Sequence, residues 1–196
     1  MTEHYDVVVI GAGIHGAGVA QAAACRGHTV LVLEKTAIAA GTSSRSSKLI
    51  HGGLRYLESH DYGLVRESLR ERAILLRIAP DLVHLQPFSI PVYADTSRRP
   101  FTLRAGLLLY ALLGGLDRAS RFRKLPQREW EHLDGLETRG LQGVFRYHDA
   151  QTDDVALTRA VMQSASELGD IAGRPPHVPE MGKIRIVRRH RAVAGC

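Results

Sequence analysis

An α/β fold opening on a strand, a glycine-rich turn, a helix and a second strand is predicted by three features that lie before Lys35. Tyr5 to Ile10 is a mostly β-branched run suited to a strand buried on both faces of a parallel sheet. Gly11, Gly13 and Gly16 then form GxGxxG and lead into the Ala-rich helical stretch Ala17 to Cys25. A second apolar run, "HTVLVLE", ends on Glu34. In this order they make the fingerprint of a Rossmann-like dinucleotide-binding unit.

Each element has a physical reason. Gly11 permits the tight strand-to-helix turn, Gly13 has no Cβ to keep a pyrophosphate from the backbone, and Gly16 lets helix and strand pack closely. The helix N-terminus offers N–H groups and positive dipole to phosphates, and Gly27 stops the helix. Glu34 stands where a carboxylate accepts both hydroxyls of an adenosine ribose and repels a 2′-phosphate; Lys35, beside it, is counted with the cofactor contacts. At this point NAD and FAD both fit, and a plain Gly-rich turn of an α/β protein is the bland alternative.

The next stretch, "GTSSRSSKLIHGGLRYLE" from Gly41 to Glu58, closely resembles the FAD-dependent glycerol-3-phosphate dehydrogenase family of the glutathione-reductase-like flavoprotein fold. The resemblance continues through "LVRESLRERAILLRIAPDLV", "FSIPVY", "LRAGLLLYALLGG" and "FRYHDAQTDDVALTRAV", so that it covers most of the chain. It implies FAD as cofactor. Thr42, Ser43, Ser44, Ser46 and Ser47 supply short hydroxyls and a helix start for the pyrophosphate and ribityl portion, with an exposed Ser-rich loop as the plain alternative. Gly52 and Gly53 would let backbone approach the isoalloxazine ring, although an ordinary turn uses the same pair.

His51, Arg55 and Tyr56 are the expected catalytic residues. Arg55 offers a planar fork that matches a phosphate, and the family likeness points it toward a phosphorylated substrate. The imidazole of His51 suits accepting or relaying a hydroxyl proton, and Tyr56 suits positioning either partner. The chemistry implied by the resemblance is oxidation of sn-glycerol 3-phosphate to dihydroxyacetone phosphate, a base taking the C2 hydroxyl proton while hydride passes to the flavin. The family passes its electrons on to quinone at the membrane surface.

Further along, Asp61 to Ile78 is an amphipathic helix with Val65, Leu69, Ala73 and Leu76 at helical spacing, ended by Pro80. "FSIPVY" reads as a strand that Pro91 pushes to a sheet edge or bulge. "AGLLLYALLGGL", Ala105 to Leu116, reads as a buried helix or, alternatively, as an interfacial patch. Arg118, Arg121, Arg123 and Lys124 follow it, as a solvated face or a contact for anionic lipid heads. "GVFRYHDAQTDDVALTRAVMQSASELG" reads as strand, loop and a helix from about Val155 to Leu168, with Asp153 and Asp154 capping rather than forming a catalytic pair.

Composition excludes several function classes. With 196 residues, 44% hydrophobic and 23% charged, the chain is that of a globular protein with one domain, itself incomplete. Most of the net charge of +6 lies after Gly169, in Arg174, Lys183, Arg185, Arg188, Arg189 and Arg191 against Asp170 and Glu180, so the rest carries no footprint for nucleic acid. Cys25 and Cys196 make no disulfide framework, and no metal-ligand spacing appears. A strand so close to Met1 leaves no room for a secretory signal, and no apolar run reaches the ~20 residues of a membrane span. The expectation is a cytoplasmic protein, with peripheral contact on the inner face of the cytoplasmic membrane as the sharper version.

Residues 1–169 are thus expected to form an FAD-binding domain with the start of a substrate domain, and 170–196 a divergent, basic, Pro-containing tail in which only "KIRIVRR" suits a strand. The resemblance stops at Gly169, which implies a truncated or frameshifted coding region and a chain that is catalytically incomplete. Two other readings stay open: a related flavin-dependent amine or amino-acid oxidase, and a non-catalytic nucleotide-binding fragment.

Overall fold

The computed structural model describes residues 4–96, 99–130, 133–171 and 184–188. In chain order they form β1 (Val7–Ile10), α1 (Ile14–Ala24), β2 (Val30–Glu34), β3 (Leu49–Ile50), α2 (Tyr62–Ile78), β4 (Val83–Tyr93), α3 (Pro100–Leu113), β5 (Arg123–Lys124), α4 (Gln127–Trp130), β6 (Leu141–Thr152), α5 (Asp154–Ile171) and β7 (Ile184–Arg188). Two compact units result, one from the described residues of 1–48 and 153–196, the other from 49–152.

In the first unit β2 lies between β1 and β7, parallel to both, with Val7 opposite Val30 and Val30 opposite Ile184. The strand expected in "KIRIVRR" is therefore present, and it extends the sheet. Pro175, Pro176, Pro179 and most of the tail's basic residues lie outside the described residues. The core is made of small and branched side chains: Ala17 and Ala20 of α1 and Met162 and Ala165 of α5 meet Val9, Val30 and Val32. Alanines on facing elements let backbones approach closely, and a Gln21 to Ser164 hydrogen bond of 2.9 Å ties the two helices.

Burial on both faces, expected of the first strand, is not what the structure has. The first strand is buried on one face only: Val9 is buried, whereas Val8 is 54% and Ile10 86% exposed. Both helices of the unit pack on the Val9 side, and among the described residues nothing covers the other. The helix also begins earlier than Ala17, at Ile14, because Gly13 already serves as its N-cap.

In the second unit the sheet order is β3, β6, β4, all antiparallel, with β5 also pairing β6. Pro87 and Pro91 sit on β4, an edge strand, and the register slips between Val92 and Tyr93, which is the edge and bulge that proline requires. Asp61 caps α2 by accepting the Leu64 N–H at 3.1 Å. The apolar run at Ala105 divides its faces: Tyr110 of α3 is buried against Val65 and Leu69, Leu107 against Val92 and Phe145, and Ala111 is also buried, while Phe101, Leu108 and Leu112 are exposed. Of the basic cluster after it, Arg123 is tied to Glu129 by two hydrogen bonds of 2.8 and 2.9 Å.

Candidate functional site

The glycine fingerprint forms a cradle in the first unit. Gly11 takes φ +101°, a left-handed value open to glycine, and its N–H donates to the Leu33 carbonyl at 2.8 Å, closing the turn onto β2. A Cβ at Gly16 would fall on the Gly11 carbonyl oxygen and lie 3.3 Å from Val9 Cγ1, so helix and strand pack there as the spacing predicts. At Gly13 a Cβ would meet only Ser43 Oγ, at 3.5 Å, leaving open space before the helix. A cleft of about 480 Å³ occupies that space, lined among others by Gly11, Gly13, His15, Thr42, Ser43 and Asp154.

Glu34 holds the cradle in shape. Its Oε2 accepts the Ala12 N–H at 2.8 Å and its Oε1 the Thr36 N–H at 2.8 Å. These bonds, the Ala12 one first, hold its carboxyl below the ordinary glutamate range against the opposing effect of burial. Each oxygen keeps a further lone pair for a ribose hydroxyl. Lys35 adds its backbone N–H and charge to the same carboxylate, and its side chain is exposed.

The hydroxyls of the Ser-rich segment divide their tasks. Ser43 Oγ accepts the Ile14 N–H at 3.2 Å and so covers one of the first-turn donors of α1, the others having no partner within the helix. Thr42, Ser43 and Ser46 line the cleft. Ser44 turns back to donate to the Gly41 carbonyl at 2.8 Å, and Ser47 is exposed and outside the lining. Ser46 donates to Asp154 Oδ2 and accepts the Lys48 N–H at 2.8 Å. Asp153 caps α5, accepting the Val155 and Ala156 N–H groups at 2.9 and 3.2 Å, as the sequence predicts; Asp154 faces Ser46 instead.

This donor set fits the pyrophosphate of an FAD molecule: a helix N-terminus, a Cβ-free approach at Gly13 and hydroxyls at the rim. His15 escapes the sequence reading because it fills an x of the motif, yet it lines the same cleft.

The remaining predicted residues belong to the second unit. Strand β3 pairs Ile50 with Ala150 of β6, and the chain then runs His51, Gly52, Gly53. The Gly52 N–H donates to Asp149 Oδ1 at 3.0 Å, and a Cβ at Gly52 would strike the Tyr110 hydroxyl and Leu69 Cδ2. Gly53 takes φ +76° and turns the chain into a 3-10 turn at Leu54–Leu57, closed by Tyr56 N–H donating to the Gly53 carbonyl at 2.9 Å. His51, Arg55 and Tyr56 all present exposed side chains, with the His51 and Tyr56 rings 6.2 Å apart.

Beneath this segment lies a network that the sequence reading misses. Arg72, 1% exposed, donates to Asp149 Oδ1 at 2.8 Å, to the Tyr110 hydroxyl at 3.1 Å, and at 3.2 Å to the His148 and Ala119 carbonyls and Ser120 Oγ. A signal was available: Arg72 continues the stripe of Val65 and Leu69, where a charge implies a buried partner. Burial pushes the Tyr110 phenol well above its usual range, Arg72 offsetting part of the shift.

Residues 6–173 match the family model described as FAD dependent oxidoreductase. A glycerol-3-phosphate dehydrogenase of Synechocystis sp. is 45% identical over 150 residues, covering 76% of this chain and 27% of its own length. A D-erythritol 1-phosphate dehydrogenase of Brucella abortus is 44% identical over 170 residues, covering 85% of this chain and 33% of its own. The chain therefore spans a third or less of the length of these relatives. Among solved structures, glycerol-3-phosphate dehydrogenase from Bacillus halodurans, complexed with FAD, matches 95% of this chain and 26% of its own with a TM-score of 0.61 at 24% identity, a likeness of fold.

Proposed function

Because the chain belongs to the FAD dependent oxidoreductase family, we propose that it serves the oxidation of a phosphorylated polyol, sn-glycerol 3-phosphate to dihydroxyacetone phosphate, with electrons passing on to a quinone. The observation that carries the reading is the exposed trio His51, Arg55 and Tyr56 on a backbone held from below, within a sequence whose relatives act on phosphorylated polyols. The first unit is the FAD-binding part and residues 49–152 the start of a substrate domain.

FAD, when bound, supplies the two-electron acceptor that the alcohol oxidation needs. Gly11, Gly13, Gly16, Ser43 and Glu34 would hold its pyrophosphate and adenosine ends. Arg55 pairs with the substrate phosphate through its planar fork. His51 would take the proton of the C2 hydroxyl and Tyr56 would orient that hydroxyl, the bound cofactor supplying the acceptor for the C2 hydride.

No described helix is long and apolar enough to cross a membrane. The exposed side of α3, with Phe101, Leu108 and Leu112 beside Arg104 and Arg118, supports peripheral contact with an anionic lipid surface, where a quinone is met.

The Brucella relative favours D-erythritol 1-phosphate as a second substrate reading. Anaerobic absorption spectra of the FAD-reconstituted, desalted chain test both. Bleaching of the flavin band near ~450 nm by glycerol 3-phosphate supports the first. Bleaching by D-erythritol 1-phosphate alone supports the second, and bleaching by glycine, sarcosine or a D-amino acid but neither phosphate overturns both.

A further inference from the structure

We propose that Arg72 and Asp149 are positioning residues: their buried ion pair fixes the main chain at Gly52 and thereby aims His51, Arg55 and Tyr56 at the phosphorylated polyol. The last step rests on the substrate reading above; the rest stands on geometry.

Asp149 Oδ1 is a single oxygen with two donors on it, Arg72 Nη1 at 2.8 Å and the Gly52 N–H at 3.0 Å. Arg72 is held in turn by the Tyr110 hydroxyl, the His148 and Ala119 carbonyls and Ser120, so α2, α3 and β6 together determine where that oxygen stands. From the other side Gly52 packs against Tyr110 and Leu69 with no room for a Cβ. Gly53, left-handed, and the Tyr56 to Gly53 hydrogen bond carry the constraint three residues further.

Stability alone does not call for this arrangement. A buried ion pair bears a desolvation penalty, and an apolar pair of similar volume often serves the fold as well. What an apolar pair cannot do is accept the Gly52 N–H. The charge holds the N–H that adjoins His51, in the segment that carries three exposed polar side chains, and a binding group on a fixed backbone loses less entropy when its ligand arrives.

The test compares two double variants of the full chain, Arg72→Met with Asp149→Leu and Arg72→Met with Asp149→Asn. Both remove the ion pair, but the asparagine keeps an acceptor for Gly52. Hydrogen exchange over residues 49–57 and calorimetric binding of glycerol 3-phosphate to the FAD-reconstituted protein are the readouts. The leucine version is expected to exchange the Gly52 amide at least about tenfold faster and to bind at least about tenfold more weakly, as for one lost hydrogen bond. The asparagine version keeps the acceptor but not the Arg72 that anchors it, and is expected to fall between the two, about threefold from the parent in both; an asparagine version indistinguishable from the parent overturns the role of Arg72.

Equal behaviour of the two versions overturns the proposal, and so does faster exchange with undiminished binding. The parent supplies a check that needs no variant: its Gly52 amide is expected to be protected like those of β6, and exchange at the rate of an exposed turn would overturn the proposal outright. A parent that binds no glycerol 3-phosphate overturns the substrate reading instead, and Gly52 exchange then decides alone whether the pair fixes the segment.

Discussion

Glu34 closes the glycine-rich loop by accepting the Ala12 N–H on Oε2 at 2.8 Å, while its other oxygen accepts the Thr36 N–H. The carboxylate that the sequence sets aside for a ribose is thus also a structural clamp between two turns. Its folded pKa lies below the ordinary glutamate value, so the stabilisation is fully present above about pH 4.3 and fades as pH falls through the lower folded value. Glu34→Gln is expected to lose about 1 kcal/mol at pH 7, partial exposure keeping the loss below that of a fully buried charged hydrogen bond. Urea unfolding at pH 7 and pH 3 checks this: the gap between parent and variant narrows in acid, and a gap that widens refutes the clamp.

Gly13 and Gly16 separate binding from folding. Gly16→Ala places a methyl on the Gly11 carbonyl oxygen and 3.3 Å from Val9, so a loss of about 2 kcal/mol or more is expected. Gly13→Ala meets only Ser43 Oγ at 3.5 Å and is expected to cost no more than about 1 kcal/mol while abolishing FAD retention, because its methyl enters the phosphate approach. Thermal melts paired with flavin content after desalting measure both. A Gly13→Ala protein that keeps its flavin would remove the cradle from the cofactor site.

The parts legible in the sequence were those in which geometry is local. Gly11, Gly16 and Glu34 declare themselves because turn, helix and acid follow within one supersecondary unit. Asp61 and Asp153 declare themselves because a cap acts within one helical turn. Arg72 and Asp149 meet across 77 positions, and neither the helix stripe nor the strand alternation names the partner. Gly52 carried the same ambiguity: a glycine required by Tyr110 looks identical, in one sequence, to a glycine required by a flat ring. The exposed faces of Val8 and Ile10 were misjudged because a β-branched run specifies a strand and not what covers it.

Tyr110 predicts an alkaline weakness. Burial raises its folded pKa, so the unfolded chain gives up the phenolic proton near pH 10 while the folded one retains it. The associated stability is complete below pH 10 and declines as pH rises toward the folded value. Tyr110→Phe removes this component, at the cost of the 3.1 Å bond from Arg72, about 1 kcal/mol near neutrality. Chemical unfolding at pH 7.5 and pH 10.5 is expected to show the parent losing more stability between the two than the variant. An equal loss would mean that the phenol is not buried as described.

The outer side of α3 gives the last prediction. Leu108 and Leu112 are 51% and 54% exposed and lie one helical turn apart, with Arg104 and Arg118 exposed nearby. Replacing both leucines by Glu removes apolar area from solvent-facing positions and introduces charges that anionic headgroups repel. The folded protein is expected to change in stability by no more than about 0.5 kcal/mol per site, since Leu107, Tyr110 and Ala111 carry the packing. Co-sedimentation with phosphatidylglycerol vesicles is expected to fall to background in the double variant and to decline with salt in the parent. If parent and variant sediment alike, this face is not the lipid contact. If neither sediments while both remain soluble, peripheral contact through α3 is refuted.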